Sequence, residues 1–231
     1  MARSETLPTY YLDKAWGVLL DISGDGGDSA HFTGLYVMST GNHVGMHKFV
    51  KLGFGRRHPE QYPWTNVRNF SRDQLMPLLA GLHTEKKSVI AKQVFKQHAK
   101  RLFFAQNFER DEPGTTKYPW PHKVKGKWRI LDFADPLAPH HIYAMAKAAN
   151  INLPWLYPIA VITLILELLT FKYGDNNDQG AIISTAYLMN RLDLFKKYNP
   201  NWKAKLENYC MGWRKQSRLY HSLTEFIERA R

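Results

Sequence analysis

Apolar residues recur at intervals of three and four along most of this chain, the period of a helix with one buried face. Residues 9–20 carry the pattern and stop at a segment rich in glycine and aspartate. Ala30, Leu35 and Met38 continue it in a second helix through about Ser39, with Asp28 or Ser29 placed to cap it. A third helical segment covers residues 42–52, and residues 53–69 form a loop rich in Gly, Pro, Arg and aromatics. Ser71-Arg72-Asp73-Gln74 then opens a helix. Ser71 stands as N-cap, and Gln74 lies three residues on, where a capping box takes Glu or Gln. Pro77 must occupy an early turn or kink that helix.

From residue 84 to about 107 the spacing predicts one long helix. Val89, Ile90, Val94, Phe95, Leu102 and Phe103 form its inward stripe, and Lys92, Lys96 and Lys100 line the outside at i, i+4 spacing. Residues 108–134 read as an irregular connection with a short strand pair near 127–131. Asp135-Pro136 restarts helix, and helices follow at about 139–149, 154–173, 179–197 and 201–229, the last broken near Gly212. Residues 155–166 are apolar apart from Thr163, and Glu167 ends the run. A membrane-spanning helix needs about 20 such residues, so this is read as a core helix covered on both faces, and no membrane span is expected. The expected fold is all-α: helical hairpins with long irregular loops, in a single domain over residues 1–231.

Composition adds little to the fold and more to the partners. With 44% hydrophobic and 23% charged residues, the chain can bury a core and is not a disordered one. Lys and Arg number 32 against 20 Asp and Glu, giving a net charge of +12. That balance favours anionic partners: acidic glycans, nucleic acid, phospholipid or acidic protein patches. Cys210 is alone, so no intrachain disulfide forms, and the start of the chain lacks the pattern of a signal peptide. Synthesis in the cytoplasm without a signal peptide is expected.

Candidate chemistry concentrates in residues 21–29, where Asp21, Asp25 and Asp28 alternate with Gly24, Gly26 and Gly27. Clustered carboxylates repel one another unless a cation, a donor network or a reaction uses them. As a calcium loop the segment fails, because Phe32 stands where a bidentate Glu is required. As acid/base machinery, Asp25, Asp28 and Asp73 are candidate catalytic carboxylates of the kind that cleave glycosidic bonds. Arg72 and Arg56 or Arg57 could orient an acidic substrate or pin a carboxylate. The bland alternative is helix capping by Asp28, Ser71 and Asp135.

Trp64 and Trp120 stand in two similar loop tripeptides, Tyr-Pro-Trp, whose rings could stack on sugars or close the edge of a core. His43 and His47 are spaced i, i+4, but neither they nor His140-His141 come with an evident third ligand, and no metal or other cofactor is expected. Serine-hydrolase, nucleotide-binding loop and dinucleotide-fold motifs are absent. The lysine stripe makes nucleic acid a second choice of partner.

Gly27-Asp28-Ser29-Ala30 with Thr33-Gly34, Arg56-Arg57-His58-Pro59 and Ser71-Arg72-Asp73-Gln74 resemble a group of poorly characterised proteins of tailed bacteriophages and bacteria, over about residues 15–170. Asp135-Pro136-Leu137 before a helix fits the same pattern. The group has an arginine before its Thr-Gly; this chain has Phe32 there. The resemblance implies a partial or complete α/α toroid, as in several glycan-active enzymes. It also implies a virion-associated or host-surface-directed protein with a glycan-recognising cleft, with or without catalysis. Surface polysaccharide and other virion proteins are then the expected partners, and His58 joins Arg57, Arg72, Trp64 and Trp120 as substrate-binding candidates. An active glycoside hydrolase or lyase using an Asp pair is the enzymatic form of the same reading. In its structural form the same polar residues are a satisfied network holding helix ends together.

Overall fold

A computed structural model describes residues 12–20, 24, 26–65, 67, 70–103, 122–124, 127–129, 137–170, 176–209 and 218–230. Among them are nine α-helices: α1 Ser29–Thr40, α2 Arg72–Thr84, α3 Ser88–Ala99, α4 Pro139–Ala148, α5 Tyr157–Thr170, α6 Asn176–Leu188, α7 Leu192–Tyr198, α8 Trp202–Tyr209 and α9 Arg218–Arg229. Strand among the described residues is confined to three antiparallel hairpins: β1 Leu12–Asp13 with β2 Val18–Leu19, β3 Val50–Lys51 with β4 Phe54–Gly55, and β5 His122–Val124 with β6 Lys127–Arg129. The all-α expectation holds; the strand pair expected over 127–131 begins earlier, with β5 at His122–Val124 and only β6 inside that range.

The core is centred on α1 and α2, which pack along each other, with α6 against α2 and α9 against α1. Backbone meets backbone where they cross: a Cβ added at Gly34 would lie 2.3 Å from the Pro77 carbonyl oxygen. Pro77 has no N–H, so it leaves the carbonyl four residues earlier, that of Asp73, without its helical donor. The Nδ1 of His31 fills the gap, 2.7 Å from that oxygen. A carbonyl only accepts, so Nδ1 carries the proton. Gly180 on α6 makes room for the ring, since a Cβ there would lie 2.5 Å from its Nε2. Phe32 is a core residue with 8% exposure.

Several elements differ from their expected form. In place of a helix, residues 12–19 form the β1–β2 hairpin, because Asp13 turns the chain. Its Oδ1 accepts from the amides of Ala15 and Trp16 at 2.9 and 3.2 Å, and Gly17 takes a positive φ of 62°. Residues 9–11 lie outside the described residues. The segment expected as a helix over 42–52 holds a short 3₁₀ turn, Met46–Phe49, followed by β3. The long helix expected from residue 84 is instead the end of α2, a turn with Lys86 at φ 59°, and α3. Val94 on α3 is buried, whereas of the expected inward stripe Val89 on α3 and Leu102 in the turn after it are 71% and 72% exposed. A turn with Asn190 at φ 56° likewise divides the 179–197 segment into α6 and α7. The stretch expected to be helical from residue 201 is α8 and α9, with Gly212 outside the described residues.

The apolar helix α5 is not covered on both faces. It packs on α4 and α7 through one row, Ala160, Leu164 and Leu168, while Ile159, Ile162, Leu166 and Leu169 are 48–61% exposed. Among the described residues no helix covers its second face. No helix among the described residues is long and apolar enough to cross a membrane.

Burial also predicts an acid sensitivity. His98 on α3 is 1% exposed, donates from Nδ1 to the Val94 carbonyl at 2.9 Å, and has its pKa pushed down from 6.5 to about 4 by burial. The unfolded chain takes up this proton near pH 6.5 and the native protein only near pH 4. Stability is therefore full above the first value and declines towards the second, with about 2 kcal/mol lost by pH 5. Urea unfolding should show the pH 7.5-to-5 loss shrinking by about that amount in His98→Leu. An unchanged pH dependence in the variant would refute the assignment.

Candidate functional site

The first turn of α2 organises the polar groups at one end of the bundle, and two clusters meet there. On one side lies the glycine loop. Asp28 occupies the N-cap of α1, yet its carboxylate makes no cap bond; Oδ1 accepts from Gln74 Nε2 at 2.6 Å and lies 3.3 Å from Arg57 Nη1. Arg57 also donates to the Gly27 carbonyl at 2.9 Å and to Ser71 Oγ at 3.3 Å. The expected capping box is therefore not formed: Ser71 serves Arg57, and Gln74 reaches across to Asp28. Gln74 Oε1 accepts from the His31 amide at 3.1 Å, so one amide side chain ties α2 to both the loop and α1. Trp64 lies beside this cluster, its ring centroid 5.7 Å from the Arg57 guanidinium, and Tyr62 is exposed.

His58 is a post beneath the loop. Its Nδ1 accepts from the amides of Glu60 and Gln61 at 3.1 and 2.9 Å, so the ring proton sits on Nε2, which faces Asp13 Oδ2 at 3.3 Å. Burial lowers its pKa, and Asp13 opposes that shift. A Cβ at Gly26 would strike His58 Cβ at 2.7 Å, which is why glycine stands there.

On the other side of the turn, Arg72 points its Nη1 towards Glu167 Oε1 of α5 at 4.0 Å. The second carboxylate oxygen, Oε2, lies 2.5 Å from His140 Nε2 and 4.0 Å from His141 Nε2. Both imidazoles are 1% exposed, in the first turn of α4, with ring centroids 4.0 Å apart. Burial holds the pKa of His141 well below the usual histidine range, with His140 and Arg72 adding to the effect.

Of the residues picked from sequence, the structure thus brings Asp28, Arg57, Arg72, Asp73 and Trp64 around the start of α2. Asp25, Trp120 and Asp135 lie outside the described residues. His43 and His47 are both exposed and join no three-ligand group among the described residues. Lys92, Lys96 and Lys100 are exposed along one side of α3. Glu167 was missed. Its signal was a lone carboxylate ending an apolar run, which the fold turns towards two histidines distant in sequence. A cavity of about 500 Å³ lies near the other end of α1, lined by Thr40, Tyr187, Asn190, Glu225 and Arg229 among others. No family model, curated protein or solved structure matches the chain.

Proposed function

We propose that this is a bacteriophage-type, host-surface-directed protein whose polar end recognises an acidic surface polysaccharide. The observation that carries the reading is the pair of guanidiniums, Arg57 and Arg72, set on either side of the α2 N-terminus with Trp64 alongside. Guanidinium forks match uronate carboxylates, the positive end of a helix favours an anion, and an indole face stacks on a sugar ring. The net charge of +12 draws the same class of polymer. In the enzymatic form of this reading, Asp28 or Asp73 is the acid/base, Asp25 its partner and Arg72 the substrate orienter, on an α/α-toroid frame. Virion proteins are the assembly partners it implies.

The test is binding to immobilised polygalacturonate and hyaluronan, with dextran as the neutral control. The wild type is expected to bind at least one acidic polymer, and Arg72→Ala to bind about tenfold more weakly or worse. New reducing ends or unsaturated products, lost in Asp73→Asn, would mark the enzymatic form. Failure to bind either acidic polymer, or undiminished binding by a folded Arg72→Ala variant, would overturn the proposal. Nucleic acid is the second reading, favoured by the exposed lysines of α3. Salt-sensitive binding to duplex DNA, lost when Lys92, Lys96 and Lys100 are all alanine, would transfer the assignment to that helix.

A further inference from the structure

His140 and Glu167 lie in contact with no hydrogen bond joining them, and His141 stands beside them. Thr163 Oγ1 lies 3.0 and 3.1 Å from the carbonyls of Ile159 and Ala160 in its own helix, and donates its single proton there. His140 Nδ1 lies 3.1 Å from the same oxygen, and with Nδ1 as the donor the Nε2 lone pair is left facing Glu167. Nε2 then faces Glu167 Oε2 at 2.5 Å, but the oxygen lies off the ring-nitrogen axis and the contact is not a hydrogen bond. The Nδ1 of His141 is buried with no hydrogen-bond partner. Two nearly inaccessible imidazoles and a carboxylate oxygen are thus turned on one another, one donor atom from each lying within 4.8 Å of the others.

That arrangement is what a metal ion requires. Ligand lone pairs aim at the ion and not at each other, so neighbouring donors lie close yet off axis. Around a tetrahedral ion with bonds of ~2.1 Å they stand ~3.4 Å apart, between the 2.5 and 4.0 Å separations of Glu167 Oε2 from the two histidines. We propose that His140, His141 and Glu167 bind a divalent first-row transition-metal ion, with zinc as the reference case. Two nitrogens and one oxygen suit such an ion, whereas calcium and magnesium want oxygen alone. Thr163 orients the first histidine, and Arg72 lies nearest Oε1, leaving Oε2 for the ion. Glu167 alone of the three keeps an appreciable solvent contact, 14% of its side chain, which gives an ion a way in. Three protein ligands leave a coordination position open, the pattern of zinc sites that bind water or substrate. The assignment stands independently of the polysaccharide reading.

Chelator-stripped full-length protein should be titrated with Zn²⁺ by calorimetry and with Co²⁺ by visible absorption. Saturable binding of one ion per chain in the micromolar range or tighter is expected, with cobalt bands characteristic of a low-coordinate nitrogen–oxygen site. His141→Ala and Glu167→Gln should each weaken Zn²⁺ about a hundredfold or more. Thr163→Val should weaken it about tenfold, and Thr163→Ser should restore it. Circular dichroism of the metal-free variants establishes that they are folded, and Thr163→Val carries the test if a ligand variant is not. No saturable Zn²⁺ binding by the wild type, or equal affinity in the wild type and all folded variants, overturns the proposal.

Discussion

Gly34→Ala is expected to lower the unfolding free energy by about 3 kcal/mol, the upper part of the range for overpacking a filled core. The added methyl would meet the Pro77 carbonyl oxygen at 2.3 Å and its carbon at 2.4 Å. Both are backbone atoms, so no side chain can rotate aside; α1 and α2 must move apart along their length. The intrinsic preference of a helix for alanine returns only about 1 kcal/mol. Gly81→Ala, on the same α2, is the control. There the methyl meets Met46 Cγ at 2.9 Å, the stem of a flexible side chain. That variant should lose less than about 1 kcal/mol. Urea unfolding of the two variants decides the matter: a Gly34→Ala protein within about 0.5 kcal/mol of wild type would mean that the helices do not cross so closely.

A loss of about 4 kcal/mol is expected for Glu85→Ala. Glu85 follows α2 directly and is 4% exposed. Its carboxylate accepts from the amides of Val44, Gly45 and Met46 at 2.8, 2.7 and 2.8 Å. Three charge-assisted bonds thus fasten the chain after α1 to the end of α2. Alanine removes them together and leaves donors that nothing else on that side chain can satisfy. Glu85→Gln should lose about half as much, since its amide keeps one accepting oxygen but turns a donor towards the remaining amides. Denaturant midpoints and hydrogen exchange at residues 44–46 test both. Slow exchange persisting there in the alanine variant would show that the amides have other partners.

Most helices were legible from their apolar spacing, and α1 was also bounded to within about a residue; Gly41, at φ 73°, marks its end. The missed boundaries share a cause. α2, α4 and α6 end on Lys86, Asn150 and Asn190, all at positive φ, and each is followed by an amide bonding back to a carbonyl five residues earlier: Lys87 to Leu82, Ile151 to Ala146, Arg191 to Ala186. Where glycine fills such a position the stop is visible; a lysine looks like one more exposed helical residue. The true partners of the motif residues were hidden for a different reason. Ser71 and Gln74 fit a local capping box, but Arg57 and Asp28 claim them across the fold. Thr33 and Gly34, which read as part of a functional motif, serve packing. Thr33 Oγ1 accepts from the Leu19 amide at 2.9 Å, and Gly34 lets α2 approach. Glu167 could be placed beside His140 only once α4 and α5 were packed together.

The helix ends at Lys86, Asn150 and Asn190 bear on how relatives of this chain should be compared. All three residues are exposed and none touches the polar end described here, yet a β-branched residue at any of them would strain the left-handed turn. Their freedom to drift is set by a dihedral angle and not by a neighbour. Constancy at Lys86 and Asn150 would record a backbone requirement and should not be counted as the footprint of a ligand, whereas Asn190 also lines the cavity near the end of α1.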